Sequence, residues 1–243
     1  MTGAAGDGWS IERRVDTARA LHGLWPAPSA RADRMVGLCT VVGTPAVVLG
    51  STQKSGVALE HAVSDDVEVV HRSSGGGAVW VAPAAQVWLD VWIPRQDALW
   101  DDDVVRSSWW LGEAWVRALE GLGAAPLSVH RGRATRTDWS EVVCFAGVGP
   151  GEVTVGTAKL VGIAQHRSRH GAHLHSMAMV SWDPAALLTL LSATTRHHPE
   201  RLGAEAALHH VATGLRDVLT PTRRLSDQAL ITTVEDALVR ALP

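Results

Sequence analysis

Lysine is nearly absent from this chain: of 22 basic residues only Lys54 and Lys159 are lysines, and arginine carries the rest. Arginine is a planar fork that stays charged, whereas lysine is a compact, titratable point charge, so each lysine here calls for a reason. Tyrosine is missing and phenylalanine occurs once, against 11 tryptophans, most of which read as packing aromatics. Two cysteines, Cys39 and Cys144, make no disulfide framework and leave each thiol free in a reducing compartment. No apolar run reaches the ~20 residues of a membrane span. The opening MTGAAGDGWS has neither the basic nor the apolar region of a secretory leader, so a cytoplasmic protein is expected. A formal charge of −3 without any basic block gives no footprint for nucleic acid or an anionic membrane.

What is present suits one globular domain over residues 1–243, with 46% apolar residues to build a core. Ser10 ahead of IERRVDTARALHGLW reads as a capped first helix. Strand signals follow in MVGLCTVV, AVVLG, VEVVHR, GAVWV and QVWLDVWIP. In the last of these Val87, Leu89, Val91 and Ile93 alternate with Trp88, Asp90 and Trp92. From Asp97 a helix is expected, with an acidic start and Val104, Ser108, Leu111, Trp115, Ala118 and Leu122 on one face. Strands resume at EVVCFAG, GEVTV, AKLVGIAQH and HLHSMAMV, and helices close the chain from Asp183-Pro184 onward. Grouped strands with helices at both ends predict an α+β fold with mixed or antiparallel sheets, not a doubly wound one.

The stretch VVHRSSGGGAVW places three consecutive glycines, Gly75 to Gly77, between strand-like runs. Glycine weakens a strand, so such a cluster marks a tight turn or a place where backbone meets a ligand. Successive N–H groups there could form an anion nest, and Arg72 beside them could grip a phosphate or carboxylate. The triplet is neither a P-loop nor a dinucleotide fingerprint, and on its own also fits a plain hairpin.

Three ordered segments, AVVLGSTQKSG with Gly50 and Gln53, HRSSGGGAV, and GTAKLVGIAQHRSRHGAHLHS, together resemble the lipoate-protein ligase A family of the biotin/lipoate ligase superfamily, from about Pro45 to Val180. The resemblance implies a class II aminoacyl-tRNA-synthetase/biotin-ligase-like catalytic domain without the C-terminal accessory domain of larger ligases. It implies a site in which Arg72, Ser74, Gly75, Gly76, Gly77 and Ala78 lie against an acyl chain or acyl-adenylate, with Gly162, Ala164, Gln165 and His175 lining it. Lys159 would face the acyl carbonyl, where a cation stabilises developing negative charge; otherwise it is an exposed strand lysine. The substrate would be lipoate or octanoate, with ATP and Mg²⁺ on the adenylate route. The acceptor would be a lysine in the lipoyl domain of a 2-oxoacid dehydrogenase subunit or a glycine-cleavage carrier protein. The sequence departs from the family pattern at His71, Val81 and Ser176. A catalytically idle relative that binds a ligand or carrier, and a biotin-protein ligase, are the alternative readings.

Cys144 lies just upstream of the family lysine, where one group of octanoyltransferases carries the cysteine that takes an acyl group from acyl carrier protein. A neighbouring cation or histidine would activate it as a nucleophile; otherwise it is a small buried hydrophobe. Cys39, in GLCTVV, reads as core. HRSRHGAHLH brings His166, His170, His173 and His175 close in sequence, but a strand-loop-strand and no cysteine or carboxylate at zinc spacing predict no metal. RGRATR, with Arg131, Arg133 and Arg136, reads as a solvated loop or a dock for an acidic carrier domain.

Overall fold

The computed structural model describes residues 3–5, 8–23, 25–26, 32–54, 66–191 and 201–243. Alternating apolar and polar residues build a large mixed sheet from β1 (Gly3–Ala5), β2 (Trp9–Asp16), β3 (Arg34–Val41), β7 (Gln86–Pro94), β8 (Ser128–Val129), β9 (Val153–Val155), β10 (Ala158–Arg167) and β11 (Gly171–Met179). Their order across the sheet is β1-β2-β3-β7-β11-β10-β9-β8. Among the described residues, only β2 and β3 run parallel within it. A smaller sheet has β4 (Ala46–Leu49) between parallel β5 (Glu68–His71) and antiparallel β6 (Val79–Val81). Among the described residues the α-helices are α1 (Ala18–Leu21), α2 (Trp109–Gly121), α3 (Ala185–Leu190), α4 (Arg201–Val211), α5 (Leu215–Val218) and α6 (Asp227–Ala241). The α+β expectation holds.

The main core lies on one face of the large sheet. Leu38, Val87, Leu89, Val91, Ile93, Val161 and Leu174 pack there against Leu111, Trp115, Ala118 and Leu119 of α2 and Leu230, Val234 and Leu238 of α6. The opposite face meets the small sheet through Cys39, Val48, Val70, Val79, Val81, Trp88, Phe145 and Met179. Beyond it α3 and α4 cover Val47 and Leu49. Strand β7 is therefore buried along its whole length, and Cys39 is core, as expected. Among the described residues, no helix is long and apolar enough to cross a membrane.

Three local expectations give way. Residues 9–16 form a strand, not a helix: pairing with β3 from Trp9↔Arg34 to Asp16↔Val41 outweighs helical propensity, and only Ala18–Leu21 turns helical behind the Thr17 cap. The acidic run does not open a helix. Asp101 and Asp103 accept bonds from the Asp103 and Val105 N–H groups in tight turns, a competition with helix that short carboxylates commonly win. Helix α2 starts only at Trp109, and Val104 of the expected face is exposed. EVVCFAG forms a 3₁₀ turn at Cys144–Ala146 in place of a strand. Residues 192–200 of the expected helical end, and residues 55–65 of the resembling stretch, lie outside the described residues.

Candidate active site

The glycine turn joins β5 to β6 and is folded around Arg72. The guanidinium donates to the carbonyls of Gly75 (2.8 Å), Gly77 (2.9 Å) and Val48 (3.3 Å). At 5% exposure Arg72 is a strut inside the turn, not the outward ligand grip that its position in sequence suggests. Gly76 has a φ of +102°, a region most side chains avoid. At Gly77 a Cβ would stand 2.6 Å from the Val143 carbonyl carbon and 2.7 Å from the Cys144 nitrogen. The missing side chains thus let the turn lie directly on the segment that carries Cys144. Ala78 fixes that contact, donating to Val142 O and accepting from Cys144 N. Gln53 ties the end of β4 to the same segment, donating to the Glu141 carbonyl at 2.9 Å.

Lys159 of β10 is buried, with a side chain 2% exposed. Its ammonium donates to Cys144 O at 3.0 Å and Gly147 O at 3.1 Å and pairs with the carboxylate of Glu152, 2.7 Å from Oε1. The Phe145 ring lies 5.1 Å from the Nζ atom. Glu152 also accepts from the N–H groups of Gly149 (2.6 Å) and Ile163 (3.0 Å). The exposed-lysine reading fails.

Two spaces meet beside Cys144, with this pair in the wall of the larger. A groove of about 760 Å³ has Gly75–Gly77, Ala134–Arg136, Glu141, Gly147, Glu152, Lys159 and Gln165 in its walls. A cavity of about 50 Å³ is enclosed by apolar atoms of Val79, Trp88, Phe145, Gly162, Met177 and their neighbours. Cys144, Ile163 and Ala164 belong to both. Gln165 is anchored at the groove, donating to Val104 O at 2.7 Å and accepting from Ser107 Oγ at 3.0 Å.

His175 stands at the inner wall of the cavity within a polar cluster. Strand alternation puts His173, His175 and Met177 of β11 on one face, with Asp90 of β7 directly opposite His175. Asp90 Oδ1 receives His175 Nδ1 at 2.7 Å and the Trp88 indole N–H at 2.6 Å. Asp90 Oδ2 receives Arg14 Nη1 at 3.2 Å. His173 Nε2 lies 3.3 Å from Oδ2 yet, like both ring nitrogens of His22, makes no hydrogen bond among the described residues. Burial opposes the charge on Asp90, but His175 and His173 outweigh it and hold the carboxyl well below its usual range. Burial, with His175 nearby, pushes His22 down to about 3, and the same two causes lower His173.

The structure therefore brings Arg72, Gly75–Gly77, Cys144, Lys159, Gly162, Ala164, Gln165 and His175 to the walls of two joined spaces. Ser74 is buried behind the turn, its hydroxyl without a partner among the described residues. The departures from the family pattern stand elsewhere. His71 is exposed beside Gln53 O, Val81 is packed in the small sheet, and Ser176 bonds to Leu89 O and the Trp115 indole on the core face. Arg131 and Arg133 are exposed as expected, whereas Ala134–Arg136 reach the groove. Sequence reasoning missed Glu152, Asp90, Arg14 and His22. For Asp90 a signal existed, a carboxylate on the alternating face of an otherwise apolar strand.

Residues 29–241 match the lipoyl protein ligase A/B catalytic domain. No curated protein matches the chain. Among solved structures, the bi-partite lipoate protein ligase from Thermoplasma acidophilum, described with its E2 lipoyl domain, is similar at TM-score 0.64 and 17% identity, over 95% of this chain and 82% of that one. Protein Ta0514 from T. acidophilum with bound lipoic acid is similar at TM-score 0.59 and 18% identity, over 86% and 70%. A lipoate-protein ligase A bound with ATP gives 0.59 and 19% over the same shares. At these identities the solved structures speak for the fold, and the family match covers most of the chain. The chain belongs to the lipoyl protein ligase A/B catalytic domain family.

Proposed function

We propose that this chain attaches a lipoyl or octanoyl group to a lysine of a lipoyl domain. The observation that carries the reading is the junction of a narrow apolar cavity with a wide groove that has a buried lysine in its wall. Part of an acyl chain suits the apolar cavity, and its carboxyl end would then lie in the groove toward Lys159. The groove has room for what the carboxyl is joined to, an adenylate or the arm of a carrier protein. Relatives solved with lipoic acid, with ATP and with a lipoyl domain support the same assignment.

Two routes reach the product. On the adenylate route the acid's carboxylate oxygen attacks the α-phosphorus of ATP, carried with Mg²⁺, and pyrophosphate leaves. The acceptor amine then attacks the carbonyl carbon, the C–O bond to AMP breaks, and the amine proton passes to solvent. On the thioester route the Cys144 thiolate displaces the thiol of acyl carrier protein, and the acceptor amine displaces Cys144. The place of Cys144 in the walls of both spaces favours this second route. In either case Lys159 would exchange one carbonyl acceptor for the oxygen that gains charge, a contribution of roughly a hundredfold to a thousandfold in rate. That its ammonium is already held by two carbonyls and a carboxylate favours the rival reading, a binder that performs no transfer.

The test is intact-protein mass after mixing with octanoyl-acyl carrier protein, with Cys144→Ser as control, alongside ATP, free lipoate and a lipoyl domain. A hydroxylamine-labile adduct on the wild type alone establishes the thioester. Acceptor modification that needs ATP and survives in Cys144→Ser establishes the adenylate. Ligand retained with no product from either donor sinks the enzyme reading in favour of the binder.

A further inference from the structure

We propose that Asp90, His173 and His175 form a divalent-cation site of zinc type behind the cavity wall to which His175 contributes, a proposal independent of the acyl-transfer reading. One ligand atom from each of the three lies within 4.8 Å of the other two. The chain builds this by strand geometry alone: residues two apart on β11 point the same way, and the register sets Asp90 of β7 against His175. The sequence pattern of closely spaced histidines lacked a carboxylate partner, and the fold supplies one across 85 residues. The other two histidines of that pattern, His166 and His170, are exposed at the far end of β10 and in the turn that follows it.

A hydrogen-bonded cluster without metal is the competing account, and it leaves something over. His173 Nε2 is buried and, although 3.3 Å from Asp90 Oδ2, makes no hydrogen bond among the described residues, nor do the buried ring nitrogens of His22, whose ring centroid stands 5.6 Å from that of His175. Buried polar atoms without partners are uncommon in native proteins and ask for a missing ion or water. Two imidazoles and a carboxylate are a borderline-soft donor set that suits zinc, and three protein ligands leave a fourth position open. To bind, His175 takes the tautomer with its proton on Nε2 and turns its Nδ1 lone pair to the ion. Asp90 gives up the His175 bond and keeps the Trp88 N–H. Arg14, 3.2 Å from Oδ2, repels a dication, so the site is expected to be micromolar and not tighter.

The experiment is calorimetric titration of metal-stripped protein with Zn²⁺, together with the visible spectrum on adding Co²⁺. We expect one equivalent per chain, a rise in Tm of the wild type with Zn²⁺, and intense cobalt bands of a low-coordinate imidazole-carboxylate site. His173→Ala should weaken binding by at least about tenfold, whereas the combined surface variant at His166, His170, His209 and His210 should leave it unchanged. No zinc uptake at micromolar concentration, zinc lost with the surface histidines, or zinc kept in His173→Ala would each overturn the proposal. If His173→Ala does not fold, the wild-type cobalt spectrum decides alone: absence of those bands refutes the site.

Discussion

Lys159 Nζ stands 2.7 Å from Glu152 Oε1, with 2% and 7% of the two side chains exposed. The carboxylate also holds the Gly149 and Ile163 N–H groups, so one ion pair fastens the segment before β9, the strand β10 and the loop that carries Cys144. The lysine that the composition singles out is thus a structural joint as well as a cation at the site.

Glu152→Ala strands that ammonium and should cost about 3–5 kcal/mol in urea unfolding, the usual penalty of an uncompensated buried charge. The double variant Lys159→Met with Glu152→Leu should recover part of the loss while transfer stays down by a hundredfold or more. If the double variant regains transfer, Lys159 has no chemical role.

The glycines of the turn should separate by position. Gly77→Ala drives a methyl into the backbone at Val143–Cys144 and is expected to cost about 1–3 kcal/mol. Gly75→Ala meets nothing within 4 Å, so its stability should stay within about 0.5 kcal/mol while ligand affinity falls, because the methyl enters the groove. Thermal melts beside ligand titrations would distinguish the two.

Arg72→Lys tests the strut. One ammonium cannot span the Val48 carbonyl and both loop carbonyls, so a loss of at least about 1.5–3 kcal/mol is expected, the worth of one charged hydrogen bond. A variant with unchanged stability but weaker binding of a nucleotide or acyl ligand would make Arg72 a ligand contact instead.

Glu235 should give a pH signature remote from the site. Burial holds its carboxyl above the ordinary glutamate range, opposed by the Arg13 bond at 2.7 Å, and Oε1 has no partner among the described residues. A folded pKa above the unfolded one penalises the charged form, and the penalty is relieved as pH falls through the folded value. The stability difference between wild type and Glu235→Gln should therefore move in favour of the wild type from neutral to mildly acidic pH, as read by urea titrations. A shift the other way would contradict the assignment.

The sheet was legible where residues alternate strictly, and β7 carries the face assignments expected of it. The glycine turn and Lys159 were legible because three spaced segments fix them. The N-terminal strand was not, because a capped run of mixed charge reads as helix until β3 is there to pair with it; its Arg14 and Glu12 then reach Asp90 and Trp25. Asp90 shows in the sequence only as a carboxylate in an apolar strand, because its histidine partners are brought to it by register between strands distant in sequence.

The alternation of β11 has a consequence for how this chain can change. His173 and His175 face the cavity cluster while Leu174 and Ser176 face the main core, so deleting one residue early in the strand would exchange the two sets at once. Substitutions can tune the cavity one side chain at a time. Length changes cannot, and variation by insertion should be confined to the turns at either end of the strand.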